Sequence, residues 1–333
     1  MEATSKTRAV TQNTFKSAWK YLTSKRMQPI LFVEVAALIL LGLSIMPGGF
    51  DYKGYFHPLA QGCFSCTYNP YFTEWFMRPF GFFSWHTSYL IFSAVSIVIA
   101  WWSARRLGGS PFVVLTSATF LWVLWLGQID VLPALGLGLA WWALQKERSV
   151  LAGLGLLLLA TKPQLGGFII VMLVLWGGWR TLIIPALGAG LSFAIYGLDW
   201  PLRWMSYTPQ TTFGGTAWFY IAPAWLLITL IGVFFIKGRR EQLHYIVAAT
   251  MVGAPFLGAY SFFLLLLFPV RRWEIAVGYI PFALMGITGN QWWLGLLLAQ
   301  PLLVMVRLLR ENYQPFSLFF WRQSQPETPQ NLA

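Results

Sequence analysis

From Leu156 to Trp176 the chain reads LLLLATKPQLGGFIIVMLVLW, a run apolar enough to lie in a bilayer, with Lys162, Pro163 and Gln164 set in its centre. Backbone N–H and C=O groups in hydrocarbon find no water to bond, so such a run must be helical wherever it meets lipid. Proline interrupts that helix because it has no N–H to donate and its ring crowds the preceding turn. A lysine at bilayer depth is expensive unless it faces protein or a water-filled cavity. One stretch therefore demands membrane helix, a break, and a sheltered place for a charge.

The remainder of the 333 residues belongs to the same medium. Hydrophobic residues make up 57% and charged residues 10%, with a mean hydropathy of +0.60. A soluble domain carries roughly a quarter charged residues. The net charge of +12 does not point to nucleic acid, because the Lys and Arg sit in short groups between apolar runs rather than in a basic stripe. They read as topology signals. No Walker loop, dinucleotide fingerprint, His-Glu-x-x-His or nucleophile elbow is present, so a soluble nucleotide site is not supported.

Apolar runs lie near 30–46, 87–103, 111–127, 131–145, 149–161, 164–179, 181–197, 218–236, 243–257, 260–270, 275–288 and 291–309. They predict an all-α polytopic membrane protein of about twelve transmembrane helices, several of them short. Residues 1–29 read as a basic cytoplasmic N-terminus, 30–309 as a single transmembrane domain that includes an outer loop over 47–86, and 310–333 as a cytoplasmic tail. The first apolar run lacks a small-x-small cleavage site and is expected to remain as a signal anchor. Its following loop is rich in Phe, Tyr and Trp, which predicts interfacial helices on the membrane surface.

A helix over 150–161 extends only about 18 Å, against a hydrocarbon core of about 30 Å. Either 150–179 is one proline-kinked helix, or the chain turns back at Lys162. Positively charged residues favour the cytoplasmic side. With a turn at Lys162, nineteen of the 23 Lys and Arg residues fall inside and only Lys53, Arg78, Lys162 and Arg203 outside; with one long helix the partition is eleven to eleven. The turn is therefore expected, with both termini cytoplasmic in a multi-pass protein of the plasma membrane. Asp51, Glu74, Asp130 and Asp199 share the outer side with Lys162, so any chemistry belongs there.

Asp51, in GGFDYKG, reads either as a helix N-cap or as a general base whose partial burial raises its proton affinity. Lys162 and Gln164 read either as a snorkelling helix end or as contacts for an anion, and Asp130 in GQID either as a partner for Lys162 or as a group that orients a hydroxyl. Cys63 and Cys66, the only cysteines, share the outer loop with His57 and His86. That spacing is unusual for zinc, and a loop-stapling disulfide is expected instead.

These residues together resemble the GT-C superfold of membrane glycosyltransferases, and most closely glycosyltransferase family 87, the polyprenyl-phosphate-mannose-dependent mannosyltransferases. The resemblance rests on Asp51 after the first span, the aromatic loop with NPY at Asn69 to Tyr71, GQ at Gly127 and Gln128, and AGLGLLLLATKPQ followed by an apolar span and GWR. It covers roughly residues 30 to 200. Two departures stand out: Met77-Arg78-Pro79 replaces a Tyr-Pro-Pro run, and Tyr260-Ser261 in GAPFLGAYSF replaces a late Tyr-Asp.

The resemblance implies a GT-C-like bundle that transfers a sugar, mannose by analogy, from a polyprenyl-phosphate donor to a lipid or glycan hydroxyl on the outer face, with inversion. Asp51 is then the base, and Lys162, Arg203 and Arg78 meet the donor phosphate. Gln128, Asp130, Gln164, Glu74 and His57 are the other expected substrate contacts. No cofactor is required, and a divalent metal is possible. The partners are then the sugar donor, the acceptor and membrane lipids. A lipid-linked sugar flippase or small-solute transporter is the alternative, because broken helices also mark transporter sites. A non-catalytic scaffold explains none of the polar residues within the spans.

Overall fold

The computed structural model describes residues 27–207, 224, 226, 227, 229–254 and 257–315. Among them every extended element is helical, and the one β contact is an isolated antiparallel bridge between Ile236 and Tyr313. The expected N-terminal segment over 1–29, much of the expected 218–236 span and most of the 310–333 tail lie outside the described residues. The chain divides into two compact units, Met1–Gly48 and Gly49–Ala333.

The first unit holds helix α1, Gln28–Ile45, with Pro29 in its first turn and no buried residue. It stops just before Met46-Pro47, because the residue ahead of a proline is pushed out of the helical region. An 18-residue unburied helix, apolar between its ends except for Glu34, has the length and composition of a membrane span.

The second unit begins with a chain of short helical turns over 50–82 and continues into α2, Trp85–Leu107. Helices α3 (Pro111–Thr116) and α4 (Ala118–Leu126) follow, then α5 (Val131–Gln145), α6 (Ser149–Leu159), α7 (Pro163–Gly177) and α8 (Ile183–Tyr196). After α9 (Trp200–Tyr207) come α10 (Arg239–Gly253), the short α11 (Phe263–Leu266), α12 (Arg272–Thr288) and α13 (Ala299–Glu311).

Most expected spans coincide with helices, with two informative differences. The 111–127 run is broken at Ser117, whose backbone is extended and whose hydroxyl caps α4 by accepting the Phe120 N–H. The 260–270 run is a 3₁₀ turn plus α11, buried from Ser261 to Phe268 and too short to cross a bilayer. Among the described residues, four helical stretches are long and apolar enough to cross: Gln28–Ile45, Trp85–Leu107, Trp179–Tyr196 and Gln291–Glu311.

The chain does turn back at Lys162. Gly153, near the start of α6, lies against Thr181, Ile184 and Pro185, which follow the end of α7, while Trp141 and Trp176 meet at 6.5 Å near the ends of α5 and α7. Helices α5, α6 and α7 therefore alternate in direction, and none of their 15, 11 and 15 residues suffices for a full span.

Small residues contribute to helix contacts, as in membrane bundles, alongside buried large side chains such as Tyr89, Phe92 and Ile97. The buried face of α2 carries Ser93, Ser96, Ala100, Ser103 and Ala104, while Ile91, Val95 and Val98 are exposed. In α10 every residue from Gln242 to Gly253 is buried, which places it at the centre of its bundle. A very close approach joins α5 to α6. A Cβ on Gly136 would lie 2.5 Å from the Gly155 carbonyl oxygen, and one on Gly155 2.6 Å from that of Gly136. These two glycines let the backbones touch and so set the spacing at the hairpin's ends. Gly155→Val is expected to force α5 and α6 apart at a cost of about 1–3 kcal/mol. A lowered midpoint of heat-induced loss of the monodisperse detergent-solubilised peak would show it.

Candidate functional site

At the end of the bundle where α5 begins and α6 ends, four broken segments converge. The first is the turn that carries Asp51. The Gly49 N–H donates to the Trp125 carbonyl at 2.7 Å, and Tyr52, fully buried, bonds through its hydroxyl to Ser88 at 2.5 Å. Asp51 is held between these two anchors. Its carboxylate makes no cap hydrogen bond, so the N-cap reading does not apply. The residues after it, Tyr52–Phe56, form a π-helical turn, an irregularity frequent at functional sites.

The second segment is Gly127 to Asp130. Gly127 ends α4 with φ +73°, and a Cβ there would lie 2.5 Å from that of Tyr52. Only glycine permits both the left-handed backbone and this approach, which brings Gln128 to Asp51. The third is the turn into α7. Lys162 precedes a proline and has non-helical backbone, while its carbonyl accepts from Leu165 and Gly166, both at 2.9 Å. Asn69 of the NPY run steadies this turn from the outer loop by donating to the Thr161 carbonyl at 2.9 Å. The fourth is the 3₁₀ turn Ala259–Phe262.

The side chains of these segments form one connected cluster. The Lys162 ammonium donates to Asp130 Oδ2 at 2.5 Å and to Gln128 Oε1 at 3.3 Å, and it lies 4.9 Å from the centre of the Tyr260 ring. Ser261 donates to Asp130 Oδ1 at 2.5 Å. The Gln128 amide N–H donates to Asp51 Oδ2. Asp130 is fully buried and the Lys162 side chain is 7% exposed, so each charge depends on the other for its solvation. Asp51 is only half-buried, and no donor among the described residues meets its Oδ1. Burial raises its carboxyl above the ordinary range, against the opposing effects of the Gln128 hydrogen bond and the Lys162 charge.

The other residues singled out from sequence lie elsewhere. Glu74, Arg78 and Arg203 gather around Tyr196: its hydroxyl donates to Glu74 at 2.8 Å, Arg78 pairs with Glu74, and Arg203 donates to the Tyr196 carbonyl and pairs with Asp199 at 3.1 Å. Tyr71 lies beneath Arg203 at 5.9 Å, so the NPY run touches both groups. Both arginines are half-exposed or more. His57 is bonded through Nε2 to the Phe83 carbonyl at 3.0 Å. Gln164 is half-buried in the first turn of α7 and makes no side-chain bond to the cluster. Cys63 and Cys66 are joined as a disulfide.

Ser261 and Tyr260 join the cluster, though the sequence showed them only as a departure from a family pattern. Their one signal was a polar break between two strongly apolar runs. Among the described residues no three of His, Cys, Asp and Glu come together. A cleft of about 440 Å³ opens at the opposite end of the bundle, between Arg148, Ser149, Leu151, Arg180 and Ile184.

Comparison with known proteins agrees with the resemblance. The family model described as Glycosyltransferase family 87 matches residues 67–220, just under half of the chain. The matched region contains Gln128, Asp130 and Lys162 and excludes Asp51 and Ser261. No significant match arises among curated proteins or solved structures. The match, with the membrane-length apolar helices, supports a membrane glycosyltransferase in general.

Removing one member of a buried ion pair leaves the other unsolvated and costs about 3–5 kcal/mol. Lys162→Met is therefore expected to lower thermal stability in detergent strongly. Adding Asp130→Asn should recover part of the loss, and a double-mutant cycle measures the coupling.

Proposed function

We propose that the chain transfers a sugar, mannose by its likeness to family 87, from a polyprenyl-phosphate donor to a hydroxyl of a lipid or glycan acceptor, with Asp51 as the base. The observation that carries this is a half-buried carboxylate with one oxygen fixed by Gln128 and the other open, beside a buried lysine. Asp51 Oδ1 takes the proton of the acceptor hydroxyl as that oxygen bonds to the anomeric carbon. The bond from that carbon to the phosphate oxygen breaks, and polyprenyl phosphate leaves with the electron pair. The proton on Asp51 then passes to solvent. Attack opposite the leaving group inverts the anomeric centre in one displacement.

The cations divide the task of meeting the phosphate. Arg78 and Arg203 present exposed heads and receive it, and both are already oriented by carboxylates. Lys162 sits deeper. Asp130 and Gln128 engage two of its three N–H groups, which leaves one N–H and the field of the ammonium to favour charge developing on the leaving oxygen. Glu74, His57 and Gln164 serve as flanking polar contacts.

The partition of Lys and Arg supports an outward-facing site. Lys237→Cys, an exposed position on the loop before α10, is expected to resist impermeant maleimide in intact cells and react after permeabilisation.

Asp51→Asn keeps shape and hydrogen bonding but accepts no proton. Turnover of folded protein should fall by roughly 100-fold or more with donor binding little changed. Because the raised carboxyl is the active form only when ionised, activity of the parent should decline as pH falls through a value above the usual ~4. Transfer assays with radiolabelled polyprenyl-phosphate mannose check both, and near-parent turnover in Asp51→Asn removes the base from this residue.

A further inference from the structure

We propose that Gln128, locked by Lys162, Asp130 and Ser261, is a positioning residue that fixes which Asp51 oxygen faces the acceptor. The inference rests on Asp51 being the base. It departs from a substrate-binding role for Gln128, because both ends of the amide are already engaged within the protein.

The amide has only one workable orientation. An ammonium donates and never accepts, so Lys162 must face Oε1; a carboxylate accepts and never donates, so Asp51 must face the NH₂ group. A flipped amide would set N–H against N–H at one end and oxygen against oxygen at the other. Gln128 is buried, and Gly127 fixes the backbone before it.

Lys162 is immobilised in turn. Asp130 takes it through one oxygen, and Ser261 holds the other oxygen of Asp130, both at 2.5 Å. Donors therefore meet acceptors at every joint from Ser261 to Asp51, and among the described residues no donor occupies Asp51 Oδ1, which is the oxygen placed to receive a proton. The hydrogen bond from Gln128 also stabilises the ionised carboxylate. The charged or titratable groups that act on Asp51 besides it are Lys162, Asp130 and Tyr260; replacing Gln128 takes one acceptor from Lys162 but leaves its pair with Asp130 in place.

The experiment is the pH dependence of kcat and kcat/KM for transfer from polyprenyl-phosphate mannose, using full-length protein in detergent. Gln128→Met removes the donor to Asp51. Its acid limb should move up by about one pH unit, with plateau kcat down about tenfold and donor KM within about twofold. Gln128→Glu preserves length and places a carboxylate beside Asp51, and should move the limb further in the same direction. Ser261→Ala should lower kcat several-fold, and Ser261→Thr, which keeps the hydroxyl, should recover most of that loss.

If the acid limbs of both Gln128 variants coincide with the parent, or if the change is confined to KM, the positioning role is wrong. Asp51→Asn separates the two readings. An inactive Asp51→Asn with unmoved limbs overturns this inference alone, whereas an active Asp51→Asn overturns the base and this inference with it.

Discussion

The pair between Lys162 and Asp130 is the contact on which the rest of this end of the molecule depends. Each is a charge taken out of water, and neither is tolerable there without the other. The pair ties the break between α4 and α5 to the break between α6 and α7. Through Ser261 it reaches the 3₁₀ turn before α11, and through Gln128 it reaches Asp51. All four segments are irregular backbone beside strongly apolar helices. Such backbone is admissible at membrane depth only where protein or a water-filled cavity surrounds it. The cluster provides that surrounding and leaves one Asp51 oxygen without a donor among the described residues.

The helices bring these breaks together because they pack closely. Gly136 against Gly155 lets α5 and α6 run in backbone contact, and the serine and alanine positions of α2 face α5. Gly138 there meets Ser103. Association in lipid gains nothing from hiding leucine, since the solvent is itself hydrocarbon, and so close packing by small residues is the available force. The outer loop then covers the assembly. Asn69 bonds the Thr161 carbonyl next to Lys162, and Tyr71, Phe72, Tyr196 and Trp200 form an aromatic core beneath the exposed arginines. Two sets of polar residues result: a buried one that holds Asp51 through Gln128, and an exposed one built around Arg78 and Arg203.

The region that matches family 87 contains the ion pair and Gln128 but neither Asp51 nor Ser261. The ion pair and Gln128 thus fall within the matched segment. The carboxylate assigned to proton transfer and the hydroxyl that steadies Asp130 come from flanking segments. Where a late Tyr-Asp is the expected pattern, this chain places a serine that donates to a carboxylate. An aspartate at that position would bring a second negative charge against Asp130.

Much was legible in the sequence because its causes are local. Runs of apolar residues dictate helices in lipid, Pro163 and Pro47 end the helices before them, and the distribution of Lys and Arg was enough to choose a turn at Lys162 over a kinked helix. The grouping of Asp51, Gln128, Asp130 and Lys162 on one side was legible too, since alternating helices return the breaks to the same end. The contacts within that group were not. Asp130 and Lys162 stand 32 residues apart and Ser261 stands 131 from Asp130. Nothing in a linear pattern distinguishes the lysine that meets a substrate from one that meets a neighbouring aspartate. Arg78 and Arg203 likewise resembled Lys162 as outward cations, yet they surround Tyr196 in a separate set. Helix formation and its interruption depend on each residue and its near neighbours. Which charge solvates which depends on distances that exist only after the helices pack.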